Sequence, residues 1–252
     1  MNRALKASIQ YRLRDYRQAL LIMYLCVYLL FLFSICLRNF NVRSNVTFSS
    51  MESVTAITIF VLGLNSFKEY FKFFSANGVS RRTMFFSAVS SLAILSAVFS
   101  LIDTINEVIF SKLISTFYPF FALLYGERYH LEGARSVNLT PQILLEHFLW
   151  FAFLYFVLSL VGLFITTAYY RMNKPLKIIV SIAVPLFLLN GGNFMNDAIS
   201  ESISRSFDSV VRAMLGFSNG SNPYIAMLSM FLLAAVFAAF AYLLARRADV
   251  KK

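Results

Sequence analysis

Cysteine, histidine and charge are all scarce in this 252-residue chain, and each shortage removes a class of function. Two cysteines, Cys26 and Cys36, lie in one apolar stretch. They are too few for a disulfide scaffold and read as small buried side chains. Two histidines, His130 and His147, leave little for a metal centre or imidazole catalysis. No G-x-x-x-x-G-K-S/T, H-E-x-x-H or paired-carboxylate motif occurs. The expectation is a chain that is not an enzyme, has no metal site and carries no cofactor. Charged residues make up 14% of the chain, against roughly 25% in soluble domains, which argues against a soluble globular protein. No cleaved leader is expected, because residues 1–18 are charged and the apolar run behind them is long enough to span.

Apolar residues fill the space: 59% of the chain is hydrophobic, mean hydropathy is +0.68, and there are 28 Phe and 13 Tyr. The pattern predicts an all-α polytopic membrane protein. Taking about 20 residues per crossing, six spans are expected at Ala19–Leu37, Ser50–Phe67, Thr83–Asp103, Leu149–Tyr170, Leu176–Leu189 and Pro223–Leu244. Six spans put both termini on one side, and the positive-inside rule says which. Sixteen of the 23 Lys and Arg fall before span one, between spans two and three, between four and five, and in the tail. Those segments are therefore assigned to the cytoplasm. The net charge of +11 is an orientation signal and an attraction to anionic lipid, and needs no nucleic acid to explain it. A seventh span through 108–125 would place the tail outside and invert the charge count, so that segment is expected to be interfacial or re-entrant.

Three segments are not simple spans. Residues 1–18 set Leu5, Ile9, Leu13 and Tyr16 at helical spacing, with Arg12 among the surrounding cations. This predicts an interfacial elbow helix, although a plain basic flank would have the same composition. Residues 68–82 follow span two and hold Tyr70, Phe71, Lys72, Phe73 and Phe74, then Asn77-Gly78 as a helix stop and Ser80 as a cap before Arg81-Arg82. Aromatics exposed at this density, Phe67 included, point to a docking knob beyond an ordinary turn. Span five carries Pro185 and ends in Asn190-Gly191-Gly192, and the amphipathic stretch behind it includes Ile199, Ile203 and Phe207. A Pro- and Gly-broken segment at membrane depth suggests a transport path or a plain loop with a surface helix. Asp103, Glu146 and His147, at the outer ends of spans three and four, are expected to be hydrated near the headgroups.

The run F-x-F-F-x-x-x-G-x-S-R-R from Phe71 to Arg82 resembles the cytoplasmic segment of permease subunits of bacterial type-2 ABC transporters. The elbow, the six spans and the helices before the last span are similar to that family as well. The resemblance implies that residues 70–82 are the coupling helix docking on a separate ABC-type ATPase, where ATP and magnesium would bind. It also implies a second permease subunit, an extracytoplasmic re-entrant gate over 190–222, and a place in the bacterial cytoplasmic membrane. Domain organisation is then one permease unit over 1–252: elbow 1–18, spans one and two 19–67, coupling segment 68–82, span three 83–103, helical connection 104–148, spans four and five 149–189, gate 190–222, span six and tail 223–252. The function so implied is export by alternating access, with an amphipathic toxin or antimicrobial peptide as first cargo. The rival is a non-transporting immunity, sensor or assembly protein that uses the knob only for docking. Single-cysteine labelling at Asn77 in whole cells should react only with a membrane-permeant maleimide; reaction with an impermeant one reverses the topology.

Overall fold

The computed structural model describes residues 3–39, 51–113, 120–129, 140–182 and 197–246. These carry no strand, two short 3-10 turns and nine α-helices. They are α1 (Arg3–Asn39), α2 (Met51–Asn65), α3 (Lys68–Ala76), α4 (Arg81–Leu113), α5 (Phe120–Tyr125), α6 (Pro141–Arg171), α7 (174–182), α8 (Asp197–Met214) and α9 (Pro223–Arg246). Four are long and apolar enough to cross a membrane, over Arg3–Phe33, Arg81–Lys112, Pro141–Arg171 and Pro223–Arg246. The described residues are thus all-helical, with the character of a membrane protein. Of the other two expected spans, α2 has 15 described residues, beginning where the described part of the chain resumes, against the roughly 20 that a crossing needs. Residues 183–189 of the fifth lie outside the described residues.

The elbow and first span are one element. Nothing between Arg3 and Asn39 is Gly or Pro, so no residue there breaks the hydrogen-bond ladder, and a single 37-residue helix results. Leu5, Ile9 and Leu13 are half-buried, while Tyr16 and Arg12 are buried at 3% and 2% exposure. Arg12 therefore does not lie at a headgroup, contrary to the sequence expectation. Both cysteines also differ from expectation: they are exposed on the outward side of α1, in line with Leu21, Leu25, Leu29 and Leu32.

Helix α6 is the hub and packs against α2, α4 and α9, while α1 lies on α4. Pro141 at the first turn and Thr140, whose Oγ1 accepts from the Ile143 N–H, start it. The contacts of α6 use small residues. A Cβ on Gly63 of α2 would lie 2.2 Å from the Ser159 carbonyl oxygen, and one on Gly162 of α6 would lie 2.5 Å from that of Phe60. Backbones this close admit only glycine. The buried face of α9 is Ala226, Ala234, Ala241 and Ala245 with Met227 and Met230, whereas Leu228, Phe231, Leu232, Phe240 and Leu243 face outward. Small side chains inside and large apolar ones outside is the distribution lipid selects and water opposes.

Two ends of the bundle can be told apart. At one, Arg81 Nη1 donates to the Arg246 carbonyl at 3.0 Å, and Tyr170 packs edge-on to Phe67 and Phe71. Arg81, Arg171 and Arg246 make this the basic end. At the other, Glu52, Asp103, Glu107 and Glu146 converge, which makes it the acidic end. Replacing Gly162 with Val should cost about 1–3 kcal/mol of stability by overpacking, read as a lowered melting temperature in detergent, whereas Leu228→Val on the outward face of α9 should be neutral.

Candidate functional site

At the basic end, α3 runs between α2 and α4 as a nine-residue helix with two unlike faces. Tyr70, Phe71 and Phe74 are buried, as is Phe67 before them, so the aromatics expected to be exposed are mostly the root of the knob. The reason is amphipathic spacing: 67, 70, 71 and 74 fall on one helix face, and that face meets α1 and the end of α6. Phe73 points the other way, 46% exposed, and stacks on the exposed Tyr11 at 4.9 Å. Lys72, Asn77, Gly78, Ser80, Arg81 and Arg82 are exposed as well. Gly78 takes φ +70° while its N–H reaches Ser75 O and the Val79 N–H reaches Phe74 O, the double bond of a Schellman stop. Ser80 Oγ then accepts from the Thr83 N–H at 3.2 Å and opens α4.

Arg12 ties this knob to α1. Its Nη1 donates to the Ser66 carbonyl at 2.7 Å, just beyond the carbonyl end of α2, and its guanidinium lies 4.1 Å from the centre of the Tyr70 ring. A buried cation is tolerated there because the helix end and the ring face are both electron-rich. Tyr70 donates in turn to Asp15 of α1. Burial, with Tyr16 and Asp15 nearby, pushes the Tyr70 phenol well above its ordinary value, so it stays a donor.

The acidic end is the part that sequence reasoning missed. Asp103, Glu146 and His147, expected to be hydrated, are buried at 5%, 2% and 0% exposure. Asp103 accepts from Tyr155 of α6 at 2.6 Å, from Tyr24 of α1 at 2.8 Å and from Thr55 of α2 at 3.3 Å. One carboxylate of α4 thereby receives hydroxyls from three other helices. Glu146 Oε1 accepts from Tyr224 at 2.7 Å and from Gln142 at 3.1 Å, which links the starts of α6 and α9. Tyr125 of α5 closes over this end: it donates to the Leu215 carbonyl at 2.9 Å and accepts from the Trp150 indole at 3.1 Å. Burial raises the Tyr125 phenol as well.

Beside that network lie Glu52, Glu107 and His147, from α2, α4 and α6, with one possible ligand atom each and all three atoms within 4.8 Å of one another. His147 Nε2 stands 2.7 Å from Glu107 Oε2 and 3.8 Å from Glu52 Oε1. These three side chains have the donor chemistry to hold a metal ion. The signal in the sequence was a polar stripe at three- and four-residue steps along α4: Ser96, Ser100, Asp103 and Glu107 on an otherwise apolar helix.

The expected gate is only partly described. Pro185, Asn190, Gly191 and Gly192 lie outside the described residues; Ile199 and Ile203 fall in α8, and Phe207 on the same helix is 70% exposed. No expected gate residue is brought to the acidic network among the described contacts. Removing the shortest hydroxyl to Asp103, by Tyr155→Phe, should lower stability by about 1–3 kcal/mol through an under-solvated buried carboxylate, measured by thermal unfolding in micelles. Compared with known proteins, the chain matches no family model, no curated protein and no solved structure.

Proposed function

We propose that this chain is the membrane subunit of a bacterial ABC exporter of the type-2 permease kind, driven by a separate ATPase that docks at the basic end. The observation that carries the reading is the α2–α3–α4 knob. Its tip of Lys72, Phe73, Asn77, Arg81 and Arg82 is exposed, while its root is buried. Its neighbours are bonded to the rest of the bundle, Ser66 to Arg12 of α1 and Arg81 to the end of α9. A push on such a tip moves helices instead of bending a loop, which is what coupling to a soluble motor requires.

The basic end is cytoplasmic in this reading, by the positive-inside rule. The span count is six: α2 and the chain from α7 onward complete the four long helices, and the beginning of α1 serves as the elbow. Two such subunits enclose the path in the cytoplasmic membrane, and ATP and magnesium stay on the partner. Closure of the ATPases rocks α2 and α4 against α6, and the segment over 190–222 opens outward. The cargo in this reading is an amphipathic peptide.

Phe73 and Lys72 are cleaner probes than the buried Phe74, whose loss would damage the fold itself. The double change Phe73→Ala, Lys72→Glu should leave expression unchanged and lower the melting temperature only slightly, by the loss of a half-exposed stack on Tyr11. It should cut co-purification of the P-loop partner at least about tenfold, since one truncated interface anchor is worth roughly 2 kcal/mol. Unchanged partner binding, or purification from native membranes with no P-loop polypeptide present, sinks the exporter reading and favours a non-transporting membrane protein.

A further inference from the structure

We propose that Glu52, Glu107 and His147 form a binding site for one divalent transition-metal ion of the zinc type. The site would join α2, α4 and α6 at the acidic end, and it stands whether or not the chain docks an ATPase. The tautomer of His147 is the first argument. Thr104 Oγ1 donates its only proton to the Ser100 carbonyl at 2.8 Å, so at 3.0 Å from His147 Nδ1 it can only accept. Nδ1 therefore carries a proton, and Nε2 is the atom left facing the two carboxylates.

Nε2 is completely buried, and its 2.7 Å approach to Glu107 Oε2 lacks the alignment of a hydrogen bond. Glu52 Oε2 and Glu107 Oε2 are buried without a hydrogen-bond partner as well. Among the described residues neither carboxylate meets a Lys or Arg. Two carboxylates and a lone pair aimed at one point would repel, and a single imidazolium would leave one negative charge uncompensated in a water-poor interior. A dication between the three atoms removes both problems.

The donor set selects the ion. Calcium and magnesium want an all-oxygen shell of six or more ligands, often completed by water, whereas one imidazole with two carboxylates suits zinc and its neighbours. The surroundings also have the form of an outer shell. Thr104 holds the far ring nitrogen, and Phe151 packs on the imidazole at 4.6 Å.

The test uses full-length, tag-free protein in nanodiscs, stripped with chelator and titrated with zinc. One equivalent should bind and raise the melting temperature, and millimolar calcium or magnesium should not displace it. Zinc X-ray absorption of the wild type should give one imidazole nitrogen and oxygens at about 2.0–2.2 Å with no sulfur shell. His147→Gln and Glu107→Gln should each weaken binding at least about a hundredfold, while Glu146→Gln, one residue away on α6, should keep it within a few-fold. The proposal is overturned by the absence of stoichiometric uptake, by sulfur coordination at Cys26 or Cys36, or by affinity that survives both ligand variants. The absorption spectrum decides even where a variant fails to fold.

Discussion

The Asp103 carboxylate is the constraint around which the helices are arranged. It sits on α4, about 33 Å from Arg81 at 1.5 Å per residue, and is buried with hydroxyls from α1, α2 and α6 directed at it. An ionised group in an apolar bundle is tolerated only where donors surround it, and these donors come from three separate helices. Sliding any of the three by one turn would move its hydroxyl by about 5.4 Å and strip the charge of a partner. The register of four helices is therefore specified by one side chain, in an environment where apolar surfaces alone discriminate poorly between registers.

Small residues supply the rest of the specification. Gly63 and Gly162 let α2 and α6 touch backbone to backbone, and the alanine face of α9 does the same more loosely. Buried Ser87, Ser91 and Ser96 return their hydroxyls to the preceding turn of α4 and so add no unmet polarity to the core. On α9 the large side chains are displaced outward, where they match the acyl chains. The two ends then take opposite characters. The acidic end is closed, with Tyr125 and Trp150 bonded over it; the basic end presents an exposed tip on a buried aromatic root.

Arg12 connects the two halves of the proposed transport reading. A guanidinium buried against the end of α2 and the ring of Tyr70 ties α1 to the corner between α2 and α3. The aromatic residues that look like a docking surface in one dimension are what holds the knob in place in three. Their periodicity, 67, 70, 71 and 74 against 73, already contained the distinction, because the two sets lie on different faces of the helix and only the first is buried in the bundle.

Composition and its arrangement made this chain helical and lipid-compatible, because 59% apolar residues in long runs suit helices that satisfy their own backbone in hydrocarbon and lack the alternation of a membrane barrel. The Asn77-Gly78 stop and the Ser80 cap were equally legible, since they are made within four residues of chain. Whether Arg12 would be solvated, which knob aromatics would be exposed, and that Glu52, Glu107 and His147 would meet were not legible. Each depends on neighbours some forty or more residues away, and burial is a property of the packed bundle, not of any segment. Local geometry is written along the chain; the company a side chain keeps is settled only when helices with small faces find one another.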